Sequence, residues 1–265
     1  MYKPLVVIKL GGAALTDKTR IYSPNLRGIR SAARQVAAIQ AKRSVLIVHG
    51  AGSYGHHPVK KYGLTEGFRR STQLKGLSEA KVRLLEWELT LNRIFLQHKI
   101  PIVPFLPIDY VIARGGRIIS CKLDPIKAWM SMGCVPSTGG DIVSDKSTRF
   151  SIVSGDQLAV YMARSLRAEM LVFATDVDGV FDSNPKLTPN ARLIKNLSTS
   201  RARKVGVDMS TSVTDVTGGM RGKLEEAAKA ASNGIPVYFV NLLKGNRLRD
   251  LVLGKHVVCS RVIPS

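Results

Sequence analysis

The chain has 265 residues, 45% hydrophobic and 22% charged, with a formal net charge of +21. That length supports one large α/β core or two lobes sharing a sheet, and no apolar run reaches the roughly 20 residues needed to span a bilayer. The 40 Lys and Arg are spread along the chain with no basic tail and no nucleic-acid motif, which argues against specific nucleic-acid binding and for attraction of anionic small molecules.

Met1-Tyr2-Lys3-Pro4 leads straight into a strand, so no signal peptide is expected. Cys121, Cys134 and Cys259 are odd in number and outside any metal spacing, which fits the cytoplasm. Leu5 to Leu10 reads as a buried strand running into Gly11-Gly12. Lys9 at the end of such a strand is costly unless an anion meets it. Lys18 lies in the next loop. Ser23-Pro24 reads as N-cap and first helical residue, with helical spacing to about Lys42.

Val45 to Val48 is a second buried strand, followed by Gly50-Ala51-Gly52-Ser53-Tyr54-Gly55-His56. Glycine turns bring bare backbone N–H groups up to a phosphate at the carboxyl edge of a sheet. His56, at the end of the loop, is placed to donate to the same ligand. Gly50-x-Gly52-x-x-Gly55 also fits the dinucleotide fingerprint. The acidic residue wanted about 20 positions on falls at the basic Phe68-Arg69-Arg70. Residues 58–71 read as polar and irregular. From Thr72 to Lys99 runs a long helix, with Leu74, Leu77, Leu84, Leu85, Leu89 and Phe95 near one stripe; Trp87 reads as core in preference to a pocket wall.

Pro101 to Phe105 is a strand, and Arg114-Gly115-Gly116-Arg117 is a hairpin turn. Asp124 is a candidate cap for a short helix. Asp156 after Gly155 either caps the helix from Gln157 or faces the site. Met170 to Ala174 is a strand that ends at Asp176, Asp178 and Asp182. Their spacing fails the EF-hand template and suits a nucleotide- or magnesium-facing loop. Asp215-Val216-Thr217-Gly218-Gly219-Met220-Arg221-Gly222-Lys223 precedes a helix from Leu224. It is not a Walker A loop, because Thr217 stands where that motif needs glycine. Its glycines and cations suit a polyphosphate. Pro236 to Val240 and Val257-Val258 supply further strands.

Strands alternating with helices predict an α/β fold with a largely parallel central sheet. Lys9, Lys223, the glycine turns and the aspartate loop describe phosphoryl transfer, which needs positioning and charge neutralisation more than a covalent nucleophile.

Ile8-Lys9-Leu10-Gly11-Gly12, Thr175-Asp176-Val177-Asp178-Gly179-Val180 and Thr217-Gly218-Gly219-Met220 to Lys223 resemble the signatures of the amino acid kinase superfamily. Within it, His49-Gly50-Ala51-Gly52-Ser53-Tyr54-Gly55-His56 is most similar to the archaeal isopentenyl phosphate kinases. Ala51 stands where those enzymes commonly have glycine, and Gly139-Gly140-Asp141 carries an extra glycine. The resemblance implies an open αβα sandwich. Residues 1–165 would form an acceptor lobe and residues 166–265 an ATP lobe. It further implies ATP and Mg²⁺, a cytoplasmic homodimer, and transfer to isopentenyl phosphate. Lys9, Gly11, Gly12, Gly52, Asp176, Gly218, Gly219 and Lys223 would hold the nucleotide. Ala51, Gly52, His56, Gly155 and Asp156 would hold the acceptor, and Lys18 would stabilise the transition state. No protein metal ligands are assigned. The alternatives are a fosfomycin-type kinase of the same fold and a dinucleotide-binding oxidoreductase.

Overall fold

All six residues of β1 (Leu5–Leu10) are buried, as an apolar run at the centre of a parallel sheet requires. β2 (Ser44–His49) pairs with one side of it and β9 (Met170–Thr175) with the other, both parallel. The computed structural model describes residues 3–17, 19–208 and 219–265. Among them β3 (Ile102–Pro104), β6 (Val135–Gly139), β10 (Asn196–Ser198), β11 (Val237–Asn241) and β12 (Cys259–Ile263) complete an eight-stranded sheet of order β10-β12-β11-β9-β1-β2-β6-β3. Every pairing in it is parallel except β11 with β12. A four-stranded sheet, β5-β4-β7-β8, is built from β4 (Val111–Arg114), β5 (Arg117–Cys121), β7 (Asp141–Asp145) and β8 (Arg149–Val153). Gly115 (φ 56°) and Gly116 (φ 75°) are both left-handed, as a two-residue hairpin turn demands.

The alternation along β1 divides the core. Leu5 and Val7 face one cluster, with Leu158, Met162 and Ala227 from the helices α4 (Gly155–Ser165) and α5 (Gly219–Ser232). Val6, Ile8 and Leu10 face the other, with Ile29 and Val36 from α1 (Leu26–Gln40) and Trp87, Leu91 and Phe95 from α3 (Gln73–Gln97). The result is the expected αβα sandwich. No described helix is long and apolar enough to cross a membrane.

Several local expectations are corrected. α1 begins at Leu26, not at Pro24: Asn25 is the cap and accepts from Gly28 N, while Pro24 bridges to Thr16. Residues 52–61 form a helix, α2 (Gly52–Lys61), which carries the glycine loop's second half. On α3, Leu74, Leu85 and Leu89 are exposed, and Gly76, Ala80, Trp87 and Leu91 form the buried stripe instead. Asp124 lies in the first turn of its helix without capping it. α5 starts at Gly219 rather than Leu224, and the last strand at Cys259 rather than Val257.

Candidate active site

The carboxyl ends of β1, β2 and β9 are level, with Leu10 in register with His49 and Ala174. Three turns therefore leave the sheet side by side. Gly11 N donates to Ala174 O at 2.8 Å and Gly50 N to Leu10 O at 3.0 Å. A Cβ on Gly50 would lie 2.9 Å from Gly12 N, and one on Gly12 would lie 2.9 Å from Gly52 Cα. Both distances are shorter than real side chains tolerate, so the two turns pack backbone on backbone. Gly52 is left-handed (φ 52°) and sits against Thr16.

Lys9 projects from the last turn of β1 into this edge. Its Nζ is 2.6 Å from Asp156 Oδ1, and Lys223 Nζ is 2.8 Å from Asp156 Oδ2. Asp156 follows the first residue of α4, while Ser154 is the cap and accepts from Gln157 N. The capping alternative for Asp156 is overturned; its carboxylate faces the site. Burial pushes the Lys9 ammonium from 10.5 to about 8, with Asp156 opposing the fall and Lys223 adding to it. Burial alone would favour a neutral Asp156, but Lys223 and Lys9 outweigh it and hold the carboxyl well below the ordinary range. Two cations on one buried carboxylate leave the cluster with a positive charge.

A cavity of about 350 Å³ opens above this cluster. Lys9, Gly11, Gly12, Ala51, Gly52, His56, Gly155, Asp156, Asp176, Gly219 and Lys223 all line it. These are the expected site residues except Lys18 and Gly218, which lie outside the described residues. Glycine is forced at two further positions of the rim. A Cβ on Gly140 would lie 2.8 Å from Gly155 N, and one on Gly155 would lie 2.7 Å from His49 O.

Val59, Leu84, Ile142 and Ile152 are among the apolar residues of the lining, with Val153 and Met220. Tyr54 of α2 is outside this lining and stacks on Trp87, ring centroids 5.3 Å apart, in the core. Asp141 also lines the cavity and is paired with Lys81 of α3. Sequence reasoning did not single out these side chains as site residues. They come from separate elements, and the Asp141–Lys81 partnership spans 60 residues without a local signal.

The aspartate loop does not act as one cluster. Asp176 pairs with Lys186, Asp178 with Asn241, Lys244 and Arg247, and Asp182 accepts from Arg192 N. Among the described residues no group of three His, Cys, Asp or Glu is placed to hold a metal ion. Nor does the dinucleotide fingerprint hold. The acidic residue it needs at the end of the next strand is missing, because residues 68–70 are irregular chain leading into α3 rather than the end of a strand.

The sequence model of the Amino acid kinase family matches residues 4–241. The chain belongs to this family. Among its relatives in the amino acid kinase family, the isopentenyl phosphate kinase of Methanothermobacter thermautotrophicus is 32% identical over 97% of this chain and 98% of its own length. That of Thermoplasma acidophilum is 28% identical over 98% of this chain and 100% of its own. A crystal structure of an isopentenyl phosphate kinase superposes with a TM-score of 0.83 at 27% identity, covering 97% of this chain and 99% of that one.

Proposed function

We propose that the chain transfers the γ-phosphoryl group of ATP to isopentenyl phosphate, giving isopentenyl diphosphate and ADP. The observation that carries this is one cavity in which Lys9 and Lys223 flank Asp156 beside His56 and the aliphatic side chains of Val59, Leu84, Ile142 and Ile152. The near full-length relatives named isopentenyl phosphate kinase support the choice of acceptor. A monophosphate with a short apolar tail needs one phosphate donor and a greasy pocket. An amino-acid acceptor would need fixed partners for an ammonium and a carboxylate.

In the proposed reaction a phosphate oxygen of the acceptor attacks the γ-phosphorus. The new P–O bond forms as the bond to the β,γ-bridging oxygen breaks, and ADP leaves with that electron pair. The nucleophile is already anionic, so no general base is required. Lys9 and Lys223 would neutralise the triphosphate and the N–H groups of Gly12, Gly52, Gly218 and Gly219 would donate to it, with Asp176 on the nucleotide side; Gly11, whose own N–H is held by Ala174 O, would let the triphosphate approach the turn. Asp156 would orient both lysines. Ala51, Gly52, His56, Gly155 and Asp156 would face the acceptor, His56 donating to its phosphate, and Lys18 would meet the transferred group. Val59, Leu84, Ile142 and Ile152 would enclose the tail. The acceptor-side residues would all fall within residues 1–165, while the nucleotide side would join Lys9, Gly11, Gly12 and Gly52 of that stretch to Asp176, Gly218, Gly219 and Lys223 of residues 166–265. Mg²⁺ would arrive coordinated by the triphosphate, since the described carboxylates form no cage.

A cytoplasmic homodimer belongs to the same proposal. Val82, Leu85, Leu89 and Leu96 are exposed along one side of α3 at spacings of three, four and seven, the pattern of a helix face that packs on another helix. All three cysteines are free thiols, as in a reducing compartment.

The test is a coupled ADP-release assay with ATP and Mg²⁺ over isopentenyl phosphate, dimethylallyl phosphate, geranyl phosphate, fosfomycin, UMP and acetylglutamate. Turnover of isopentenyl phosphate at roughly 10⁴ M⁻¹s⁻¹ or more, far above the rest, is the expected result. Turnover of fosfomycin alone would replace the acceptor and keep the ATP half.

A further inference from the structure

Behind the glycine turns lies a buried polar network that the proposed reaction does not use. His49, the last residue of β2, is 2% exposed. Its Nε2 is 2.6 Å from Glu88 Oε2. Glu88 Oε1 accepts from Asn92 Nδ2 at 2.7 Å and from Ser137 Oγ at 3.2 Å. The Trp87 indole N–H points at His49 Nδ1 and at Gly50 O, 3.1 Å from each. All of these side chains come from α3, β2 and β6.

The donor count fixes the imidazole. An indole N–H only donates and an ionised carboxylate only accepts. His49 must therefore carry its proton on Nε2, toward Glu88, and present a lone pair at Nδ1, toward Trp87. The other tautomer and the imidazolium would both set an N–H against the indole N–H. The fixed ring lies over Gly139, where a Cβ would fall 2.4 Å from His49 Cε1. The main chain of the same residue is the junction of the acceptor side. His49 O accepts from Gly140 N at 3.1 Å and abuts Gly155, and the next residues are Gly50, Ala51 and Gly52. Trp87 also stacks on Tyr54 of α2, the helix that carries His56.

We propose that Glu88 is a positioning residue: acting through the tautomer of His49, it holds the backbone of Gly50–Gly52, Gly140 and Gly155 in place against the acceptor. Nothing in it depends on which acceptor is used, though its activity readout rests on the phosphotransfer reading. The first measurement avoids activity altogether. In ¹⁵N-labelled protein at pH 7, with His49 assigned by the signals that His49→Gln removes, Nε2 is expected protonated and Nδ1 bare. A protonated Nδ1 overturns the proposal whatever the enzyme phosphorylates.

The second measurement uses Glu88→Gln. Its amide has one acceptor oxygen, so either His49 or the Asn92–Ser137 side faces a donor. With whichever acceptor the panel identifies, kcat/KM for that acceptor is expected to fall at least tenfold while KM for ATP stays within about twofold. Adding Trp87→Phe removes the donor that opposes the inverted tautomer and is expected to restore at least threefold. Equal losses for ATP and acceptor, or a further loss in the double variant, would mean that Glu88 merely supports the fold.

Discussion

Lys9 and Lys223 meet on one carboxylate, their ammonium nitrogens 2.6 and 2.8 Å from the two oxygens of Asp156. One lysine ends the central strand and the other lies in the first turns of α5. Asp156 therefore ties the central strand to the first turns of α5 at one edge of the sheet. It also keeps the buried Lys9 and the half-buried Lys223 from facing each other unshielded.

Asp156→Asn should lose both functions. Removing one partner of a buried pair leaves an uncompensated charge and costs about 3–5 kcal/mol. Thermal unfolding is expected to fall accordingly, and kcat by roughly a hundredfold or more. Combining Asp156→Asn with Lys9→Met should recover much of the stability and none of the activity. Full activity in Asp156→Asn would remove the carboxylate from the site.

The pH dependence follows from Lys9. Its lowered value of about 8 means that the charged form is complete below that pH and is lost as pH rises through it. kcat/KM for ATP, which reports the free enzyme, should be flat on the acid side of about 8 and fall above it. Lys9→Arg, charged throughout the range, should abolish that alkaline limb even if it lowers the plateau. A limb that survives in Lys9→Arg belongs to another group.

The two sides of the cavity should separate by substitution. His56→Ala removes a donor to a charged group, worth about 1.5–3 kcal/mol, so kcat/KM for the acceptor should drop roughly 10- to 150-fold with ATP affinity nearly intact. Lys223→Ala should instead weaken ATP binding first. Isothermal titration with a non-hydrolysable ATP analogue distinguishes them, and identical profiles for the two variants would refute the division.

Gly12→Ala tests the backbone contact. Its methyl would meet Gly52 Cα at 2.9 Å, and the turns must part to admit it. Overpacking of this kind costs about 1–3 kcal/mol. A parallel loss in kcat/KM for both substrates is expected, because the methyl would displace Gly52, which is proposed to face both. Wild-type kinetics would show that the turns do not act as one rigid cradle.

Leu85→Glu together with Leu89→Glu tests the homodimer. Both side chains are exposed on α3, so the folded monomer should tolerate them. Sedimentation is expected to shift from dimer to monomer, with the melting curve of the monomer little changed. An unaltered dimer would place the interface elsewhere.

Much of this molecule is written locally. The largely apolar runs at Leu5–Leu10, Val45–Val48 and Met170–Ala174 became the three central strands because a strand covered on both faces must be apolar along most of its length. Glycine after each strand marked the turns, since only bare backbone fits where Gly12 and Gly50 touch. Lys9 announced an anionic partner by its cost. What no local pattern could supply was that partner's identity. Asp156 read equally well as a cap, and only the packing of α4 and α5 on one face of the sheet turned it toward Lys9 and Lys223. The same holds for the tail wall of Val59, Leu84, Ile142 and Ile152 and for the His49–Glu88 pair. Each joins residues from separate elements, and such contacts exist only once the chain has closed on itself. The sequence by itself determined the strands, the turns and the charges that demand neutralisation. The tertiary structure decided which charges meet, because burial raises the cost of an unpaired ion until a partner from elsewhere in the chain is the only one that answers it.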